Sequence, residues 1–359
     1  MTGLALAQQK PAPPSHPGAS TAVPLLPTAN ITVRPELFIV GSSTMKGYVD
    51  VTAAALQRDY DVPAPKVSFK GSKTGIAEFC AGIGPDYPDI AVSSRGMHKS
   101  EFDRCNENGI LDIIEIKIGL SAYYVATKKG NPVFNVTPRM FYYALAEQLP
   151  KQGEFDDNPN QTWRQTDKSA PDLPIRVILP EQASGTRNTF DGLFMQAGCR
   201  HIKEIDLIYA ADDRVPKCIT LRADGVVTEV AEPYGTKMVE LLQQSAPGTI
   251  AVMTNEVYIA FRDVLELLPV NGVLPSDAAI ERFDYDMATP DFFYFKRAHM
   301  RNNAGQGVVR GIREFMAELT HEELMSHGGA FTKLGLVALS PAAQEAERSK
   351  VRTLKRFVR

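Results

Sequence analysis

Two short loops rich in hydroxyl side chains hold the residues best suited to chemistry. The first reads Gly41-Ser42-Ser43-Thr44 and the second reads Ser184-Gly185-Thr186-Arg187. Each follows a strand-like stretch and precedes a helical pattern, so its hydroxyls and the unpaired N–H groups of a helix start point at one place. This combination is typical of oxyanion binding. One such loop in each half of the chain predicts two lobes that close on a single small anion.

Two more strand-like stretches end in small hydroxyl residues, Ser72 and Ser94. For any one loop, the alternative is a serine or threonine that only caps its helix. Four loops together favour an anion site, because ligands of open α/β sheets bind beyond the carboxyl ends of the strands. We expect Arg95 and Arg187 to supply fixed positive charge. The alternative for each arginine is a surface ion pair.

The elements that must position these loops alternate between strands and helices, which predicts an α/β architecture. Apolar stretches at 37–40, 67–69, 89–92 and 175–179 are predicted strands, and each leads into one of the hydroxyl loops. Further along the chain, the pattern predicts a buried strand pair over 110–126, a surface loop over 150–174 and a strand over 205–209.

Composition restricts the class of protein. The chain has 359 residues, of which 44% are hydrophobic and 23% are charged, as in soluble globular proteins. This length predicts two domains. A net charge of −3 disfavours nucleic-acid binding. No apolar run approaches the roughly 18–20 residues that span a bilayer.

Residues 1–30 form a separate, proline-rich segment with few large apolar residues, which predicts a disordered leader. Its start, Gly3-Leu4-Ala5-Leu6-Ala7-Gln8, resembles the end of a secretory signal with an Ala-x-Ala cleavage site. The basic region and most of the apolar stretch of such a signal are missing. A truncated signal and a plain flexible terminus are therefore both open.

The four cysteines fall into two local pairs, Cys80 with Cys105 and Cys199 with Cys218. None has the spacing of a metal site, and we expect no metal. An even number in local pairs favours two disulfides formed in an oxidising compartment. The alternative is four buried thiols in a cytoplasmic protein.

With these motifs in place, the sequence resembles the periplasmic phosphate-binding proteins of phosphate ABC transporters, over roughly residues 35–340. The resemblance is carried by the order and spacing of several motifs: Gly41-Ser42-Ser43-Thr44, Gly71-Ser72-Lys73-Thr74-Gly75, Asp89-Ile90-Ala91-Val92-Ser93-Ser94-Arg95, Ser184-Gly185-Thr186-Arg187-Asn188-Thr189-Phe190, Asn271-Gly272-Val273-Leu274-Pro275 and Phe292-Phe293-Tyr294-Phe295-Lys296.

The resemblance implies a two-lobed type II periplasmic-binding-protein fold, with mixed sheets flanked by helices and two hinge crossings. Lobe one would comprise 31–126 and 289–359, and lobe two 127–288. The implied ligand is inorganic phosphate and the implied partner is an ABC transporter permease. We expect a monomeric periplasmic receptor with no cofactor. By position in the motifs, the residues implied to bind the anion are Ser43, Thr44, Ser72, Ser94, Arg95, Ser184, Gly185, Thr186 and Arg187.

Two departures from the family pattern concern selectivity. Ser94 stands where the best-known members carry an aspartate, which accepts a hydrogen bond from protonated phosphate and repels sulfate. Pro180 stands where those members carry an arginine. Glu181, Asp191 and Asp224 are candidates for a replacement carboxylate. A receptor or sensor for another tetrahedral oxyanion, such as sulfate or arsenate, is therefore an alternative.

A phosphatase-type enzyme is the less favoured alternative. It would need metal ligands or an activated nucleophile. The six histidines are scattered, and the chain has no H-E-x-x-H, G-x-S-x-G or Walker motif. We therefore predict no catalytic residues.

Overall fold

The computed structural model describes residues 34–182, 184–208, 210–231, 233–300 and 307–359. The predicted leader at 1–30 lies outside them. Eleven strands are found in this part of the chain: β1 Phe38–Gly41, β2 Lys66–Ser68, β3 Ile90–Ser93, β4 Ile113–Lys128, β5 Gln148–Lys151, β6 Glu154–Asp157, β7 Arg176–Pro180, β8 Val227–Val230, β9 Thr249–Thr254, β10 Leu265–Leu267 and β11 Ala288–Lys296.

Helices fill most of the connections between these strands. They are α1 Lys46–Asp59, α2 Ser72–Phe79, α3 Lys99–Glu107, α4 Pro138–Leu145, α5 Trp163–Thr166, α6 Gly185–Phe190, α7 Ala197–Cys199, α8 Lys203–Asp206, α9 Ala211–Ile219, α10 Gly235–Gln244, α11 Asn255–Phe261, α12 Asp277–Glu281, α13 Ile312–Leu319, α14 Glu322–Met325, α15 Ala330–Lys333 and α16 Pro341–Thr353. Short 3-10 helices at Ser43–Met45 and Arg297–His299 and a π-helical stretch at Asp191–Gln196 complete them.

The sheet of lobe one has the strand order β2-β1-β3-β11-β4. Strands β1, β2 and β3 are parallel, and β11 runs antiparallel to both β3 and β4. Every residue of β3 is buried, as expected for a strand covered on both faces. The carboxyl ends of β1 and β3 therefore open at the same edge of the sheet, where the hydroxyl loops follow.

The sheet of lobe two has the strand order β4-β9-β7-β8, with β10 also paired to β4. Strand β7 is parallel to β8 and β9, whereas β4 and β9 are antiparallel. The second hydroxyl loop follows the carboxyl end of β7.

A single long strand joins the two sheets. Strand β4 pairs with β11 up to Ala122 and with β9 from Tyr123 onward. Strand β11 is the second crossing, and it begins at Ala288. This is the mixed α/β fold with two crossings that the resemblance implies. The lobe boundaries at 126/127 and 288/289 stay a proposal, and the pairing of β4 changes four residues before the first of them.

Three local predictions are wrong. The apolar run at 110–126 is one 16-residue strand rather than a strand pair, because its two halves belong to different sheets. The segment 150–174 holds the β5–β6 hairpin and α5, whose Trp163 is fully buried and donates its indole N–H to the Gly248 carbonyl at 2.8 Å. The predicted strand at 205–209 is a helix end, since α8 covers Lys203–Asp206; Tyr209 lies outside the described residues.

Both predicted disulfides are present. Cys80 is bonded to Cys105 and Cys199 to Cys218. The first joins α3 to the end of α2 in lobe one, and the second joins α7 to α9 in lobe two. The local pairing predicted from the sequence is confirmed.

Candidate functional site

Four hydroxyls line up at the strand ends of lobe one. The Ser42 Oγ lies 2.9 Å from the Thr44 Oγ1 and 3.5 Å from the Ser94 Oγ. The Ser94 Oγ lies 3.4 Å from the Ser72 Oγ, and the Ser94 N–H donates to the same Ser72 oxygen at 3.3 Å. Three loops that are distant in sequence are therefore joined at one edge of the sheet. We call these four residues the hydroxyl row.

Close packing of α2 against β1 brings Ser72 into the hydroxyl row. A Cβ atom on Gly75 would lie only 2.3 Å from the Gly41 Cα, so glycine is needed for this approach. The Gly71 N–H donates to the Gly41 carbonyl at 2.9 Å, which fixes the loop that precedes α2. The Gly-Ser-x-x-Gly pattern at 71–75 is thus explained by packing as well as by its hydroxyl.

The loop of lobe two is held by capping. Ser184 caps α6, and its Oγ accepts a hydrogen bond from the Arg187 N–H at 3.0 Å. The Thr186 Oγ1 lies 3.0 Å from the Tyr234 hydroxyl. Ser184, Thr186 and Arg187 are all buried. Because the first N–H groups of a helix lack intrahelical partners, the start of α6 presents donors in addition to these hydroxyls.

The two loops meet across the cleft at Gly185. A Cβ atom at this position would lie 2.7 Å from the Ser43 Oγ, 2.8 Å from the Thr44 Cγ2 and 3.6 Å from the Thr44 backbone nitrogen. The start of α6 therefore faces the 3-10 turn that leads into α1. Both helix starts carry partial positive charge, and a small anion bound beside their contact would be stabilised from both lobes.

Both candidate arginines are paired with carboxylates. The Arg95 guanidinium donates to both carboxylate oxygens of Glu101, at 2.9 and 2.7 Å. Burial acts to raise the pKa of Glu101, but its hydrogen bonds from Arg95 and from the His98 backbone lower it overall. The positive charge of Arg95 is therefore largely neutralised.

Arg187 is only 2% exposed. Its Nε donates to the Asp191 carboxylate at 2.8 Å, and its NH1 donates to Glu229. Burial raises the pKa of Asp191, against the attraction of Arg187. The fixed charge predicted for Arg187 is thus balanced within lobe two, and the arginine braces the first turn of α6. Of the other candidate carboxylates, Asp224 pairs with Arg222.

A cavity of about 950 Å³ extends from the junction of the loops along β4. Ser43, Thr44 and Thr186 line it, whereas the other predicted site residues lie outside its lining. They are Ser72, Ser94, Arg95, Ser184, Gly185 and Arg187. Only three of the nine predicted residues thus line the cavity, and two of them, Ser43 and Thr44, also meet Gly185 at the junction of the lobes.

The site also contains residues that the sequence prediction missed. Ser42 connects Thr44 to Ser94, and Tyr234 holds Thr186. At the β4–β11 crossing, the Ser121 hydroxyl donates to Asp291 at 2.5 Å, and the other carboxylate oxygen of Asp291 is buried and has no hydrogen-bond partner among the described residues. In the sequence, Asp291 can be noticed only as the single acidic residue of the Phe-rich strand β11.

The described residues show neither a metal-binding cluster nor a membrane-spanning helix. They contain no group of three or more His, Cys, Asp or Glu side chains placed to hold a metal ion. None of their helices combines the length and apolar character that a membrane crossing needs.

The two lobes, the double crossing and the strand-end loops between them define a binding protein of the periplasmic-binding-protein class. A family model described as the PBP superfamily domain matches residues 26–323, and the chain belongs to this superfamily. A sequence relative is Protein SphX of Synechococcus elongatus, 30% identical over 201 residues. That alignment covers 55% of this chain and 55% of the relative, so the chain is aligned to about half of that protein's length.

Solved structures show the same fold. A possible phosphate-binding protein from Planctomyces limnophilus is 17% identical, with a TM-score of 0.66, and the match covers 90% of this chain and 99% of that one. An ABC-type phosphate transport receptor from Vibrio cholerae is also 17% identical, with a TM-score of 0.58 and coverage of 85% and 100%. These two proteins are described as a possible phosphate-binding protein and a phosphate transport receptor, and their likeness to this chain is one of fold.

Proposed function

We propose that this protein is a periplasmic receptor that binds inorganic phosphate between its lobes and delivers it to an ABC importer. One observation carries the proposal: Gly185 of lobe two lies against Ser43 and Thr44 of lobe one. This contact sets two helix starts face to face beside the hydroxyl row. A tetrahedral anion placed there would receive hydrogen bonds from both lobes, which couples its binding to their closure.

The proposed lobe-one ligands are Ser43, Thr44, Ser72 and Ser94, and the proposed lobe-two ligands are Ser184, Gly185 and Thr186. Arg95 and Arg187 complete the set as cations whose charge is shared with carboxylates. Affinity would then come mainly from neutral N–H and O–H donors that are shielded from water. Neutral donors add little long-range attraction for an anion. The anion can therefore leave once the lobes open and its hydrogen bonds are broken.

The second candidate ligand is another tetrahedral oxyanion, and Ser94 is the observation that favours it. A hydroxyl at this position is both donor and acceptor, so it accepts protonated phosphate without repelling sulfate. We therefore propose phosphate as the ligand, with weaker discrimination against sulfate and arsenate than a carboxylate at position 94 would give.

Export to the periplasm is supported by the two disulfides, because such bonds persist in oxidising compartments. Delivery to a permease is supported by the fold shared with the Vibrio cholerae transport receptor. Delivery requires that the open and closed states differ in affinity for the ligand. We propose that the receptor acts as a monomer.

Calorimetric titration with phosphate, sulfate and arsenate at pH 6 and pH 8 tests this function. We expect phosphate to bind with a Kd of about micromolar or tighter. Ser72→Ala should weaken phosphate binding, whereas Ser100→Ala, an exposed serine on α3 of the same lobe, should leave it unchanged. No heat with phosphate up to about 1 mM, with the protein folded, would refute the proposal.

A further inference from the structure

The cavity next to the oxyanion loops lies between two contacts that join the lobes. The first is Gly185 against Ser43 and Thr44. The second joins α11 to the C-terminal segment, where the Asn255 side-chain amide donates to the buried Gly335 carbonyl at 2.9 Å. Residues of both contacts line the cavity, and β4 lines it between them. The cavity is therefore present in a structure whose lobes already touch at both places.

This cavity is much larger than a phosphate ion. A water molecule takes up about 30 Å³ of liquid, and a phosphate ion has only five heavy atoms, whereas the cavity measures about 950 Å³. Sites for small organic ligands in proteins enclose roughly 300–1,000 Å³. An ion held at Ser43, Thr44 and Thr186 would thus leave most of the cavity to a group attached to it.

The walls mix apolar surface with hydroxyl and amide groups. Tyr48 and Tyr234 contribute rings, and Val257 and Phe261 contribute apolar side chains from α11. Thr254 adds a hydroxyl, and so does Ser121, whose hydroxyl already donates to Asp291 and is left to accept. Aromatic and aliphatic surface suits the C–H faces of a polyol or sugar, while hydroxyl side chains can serve as donor or acceptor to its hydroxyls.

The charges at the cavity wall disfavour a second anionic group. Lys46 pairs with Asp50, and Lys237 lies 3.6 Å from Glu240. Glu256 also lines the cavity, which gives this wall a charge of −1 in total. A ligand with one phosphate and a neutral organic group fits this balance, whereas a further carboxylate or phosphate on the organic group would be repelled.

We infer that the site takes phosphate monoesters of small neutral polyols or sugars, with the phosphate at the oxyanion loops and the organic group in the cavity. This inference rests on the proposed function, because it places the phosphate group at the same loops. It adds a substrate class that the loops alone do not indicate. The occupant is a monoester because the phosphate must keep three oxygens for the loops.

Titration of the full chain with inorganic phosphate, glycerol 3-phosphate, glucose 6-phosphate and 3-phosphoglycerate tests the inference. We expect glycerol 3-phosphate or glucose 6-phosphate to bind within about tenfold of phosphate or tighter. We expect 3-phosphoglycerate, which adds a carboxylate, to bind at least about tenfold more weakly than glycerol 3-phosphate. Equal binding of these two three-carbon esters would overturn the charge argument and the ligand class with it.

Two variants of α11 locate the organic group. Ala260 lines the cavity, whereas the neighbouring Ile259 is exposed outside the lining. Ala260→Trp should weaken binding of the esters at least about tenfold and change phosphate affinity less than about twofold. Ile259→Trp should leave both affinities unchanged. Esters that bind equally well to the Ala260→Trp variant would place their organic group elsewhere and overturn the inference.

The outcomes separate the two proposals. Binding of phosphate without either neutral ester would overturn the inference and leave the phosphate receptor intact. Binding of esters without phosphate would support the cavity and refute inorganic phosphate as the ligand. Binding of neither would refute the proposed function and the inference together.

Discussion

Gly185 and Ser43 meet across the cleft so closely that no side chain fits between them. A Cβ on Gly185 would lie 2.7 Å from the Ser43 Oγ, well inside van der Waals contact. The start of α6 can therefore approach the turn before α1 only because residue 185 is glycine. The Ser-Gly-Thr order then has a mechanical reason: the serine caps, the glycine allows closure and the threonine bonds to Tyr234.

Gly185→Ala should separate the two loops and weaken phosphate binding. The added methyl group would also lie 2.8 Å from the Thr44 Cγ2, so either the Ser43 and Thr44 side chains must shift or the lobes must move apart. We expect a loss of at least about tenfold in affinity, or about 1.4 kcal/mol, measured by calorimetry. Gly192→Ala is the matched control, since a Cβ there meets nothing within 4 Å. Equal affinities for Gly185→Ala and wild type would show that the loops do not close on the anion.

Arg187→Met should destabilise lobe two. The substitution leaves the buried Asp191 carboxylate without its partner, and breaking a buried pair in this way costs about 3–5 kcal/mol. Adding Asp191→Leu should restore most of the stability, because an apolar pair of similar size replaces the ion pair. Chemical denaturation measures both changes. Lys99→Met, which breaks an exposed pair with Asp103, should have little effect. A double variant no more stable than Arg187→Met would contradict this account.

The sequence predicts an element correctly where the residue pattern of that segment matches the position that the element takes in the fold. The strands before the hydroxyl loops are short and apolar and end at glycine or serine, so their positions are visible from the sequence. The sequence predicts a strand pair in place of the single strand β4. The change of pairing partner between Ala122 and Tyr123 does not alter the apolar pattern of the run, so the sequence cannot reveal it. The sequence places Trp163 in a surface loop because the residues next to it in sequence are polar, although Trp163 itself is buried.

The candidate site could be predicted as a set of loops but not as a set of contacts. Hydroxyls at strand ends indicated the loops that carry Ser43, Ser72, Ser94 and Ser184, and hydrogen-bond distances between Ser42, Ser94 and Ser72 join the first three loops at one sheet edge. Pairing of Arg187 with Glu229 depends on β8 lying beside β7, which no local pattern specifies. The same limit applies to Asp291, whose partner Ser121 lies on the other crossing strand.

Removing the disulfide of lobe two should lower stability without abolishing the fold. The Cys199–Cys218 bond closes a loop with a sequence separation of 19, and loss of a bond of this span costs about 3 kcal/mol. Cys199→Ser/Cys218→Ser should therefore show a lower thermal midpoint than wild type under oxidising conditions. The comparison with reductant uses two proteins that both lack the Cys80–Cys105 disulfide, one with and one without the cysteines at 199 and 218. Their thermal midpoints should converge, because reductant breaks the remaining bond. Intact-mass measurement verifies the bonds. Identical midpoints without reductant would contradict the structural role of this bond.

Asp291, on the crossing strand β11, gives the stability of the fold a dependence on pH. The residue is fully buried on β11, and burial raises the pKa of its carboxyl group to about 7, against the hydrogen bond from Ser121. Between the unfolded value of 3.8 and about 7, the folded protein holds a proton that the unfolded chain has released. The contribution of this group to stability is therefore full below about pH 4 and is lost as the pH rises to about 7.

Asp291→Asn mimics the protonated carboxyl group, so it should remove this dependence. We expect the variant to be similar to wild type in stability at pH 4 and more stable at pH 8, by up to a few kcal/mol at about 1.4 kcal/mol for each pKa unit. Denaturant unfolding of both proteins at the two pH values gives the difference directly. Asp263→Asn, an exposed aspartate after α11, controls for the general loss of a negative charge. If Asp291→Asn changes stability equally at both pH values, Asp291 is ionised in the folded protein throughout this range, and a buried charge must then be stabilised at the crossing by groups other than Ser121.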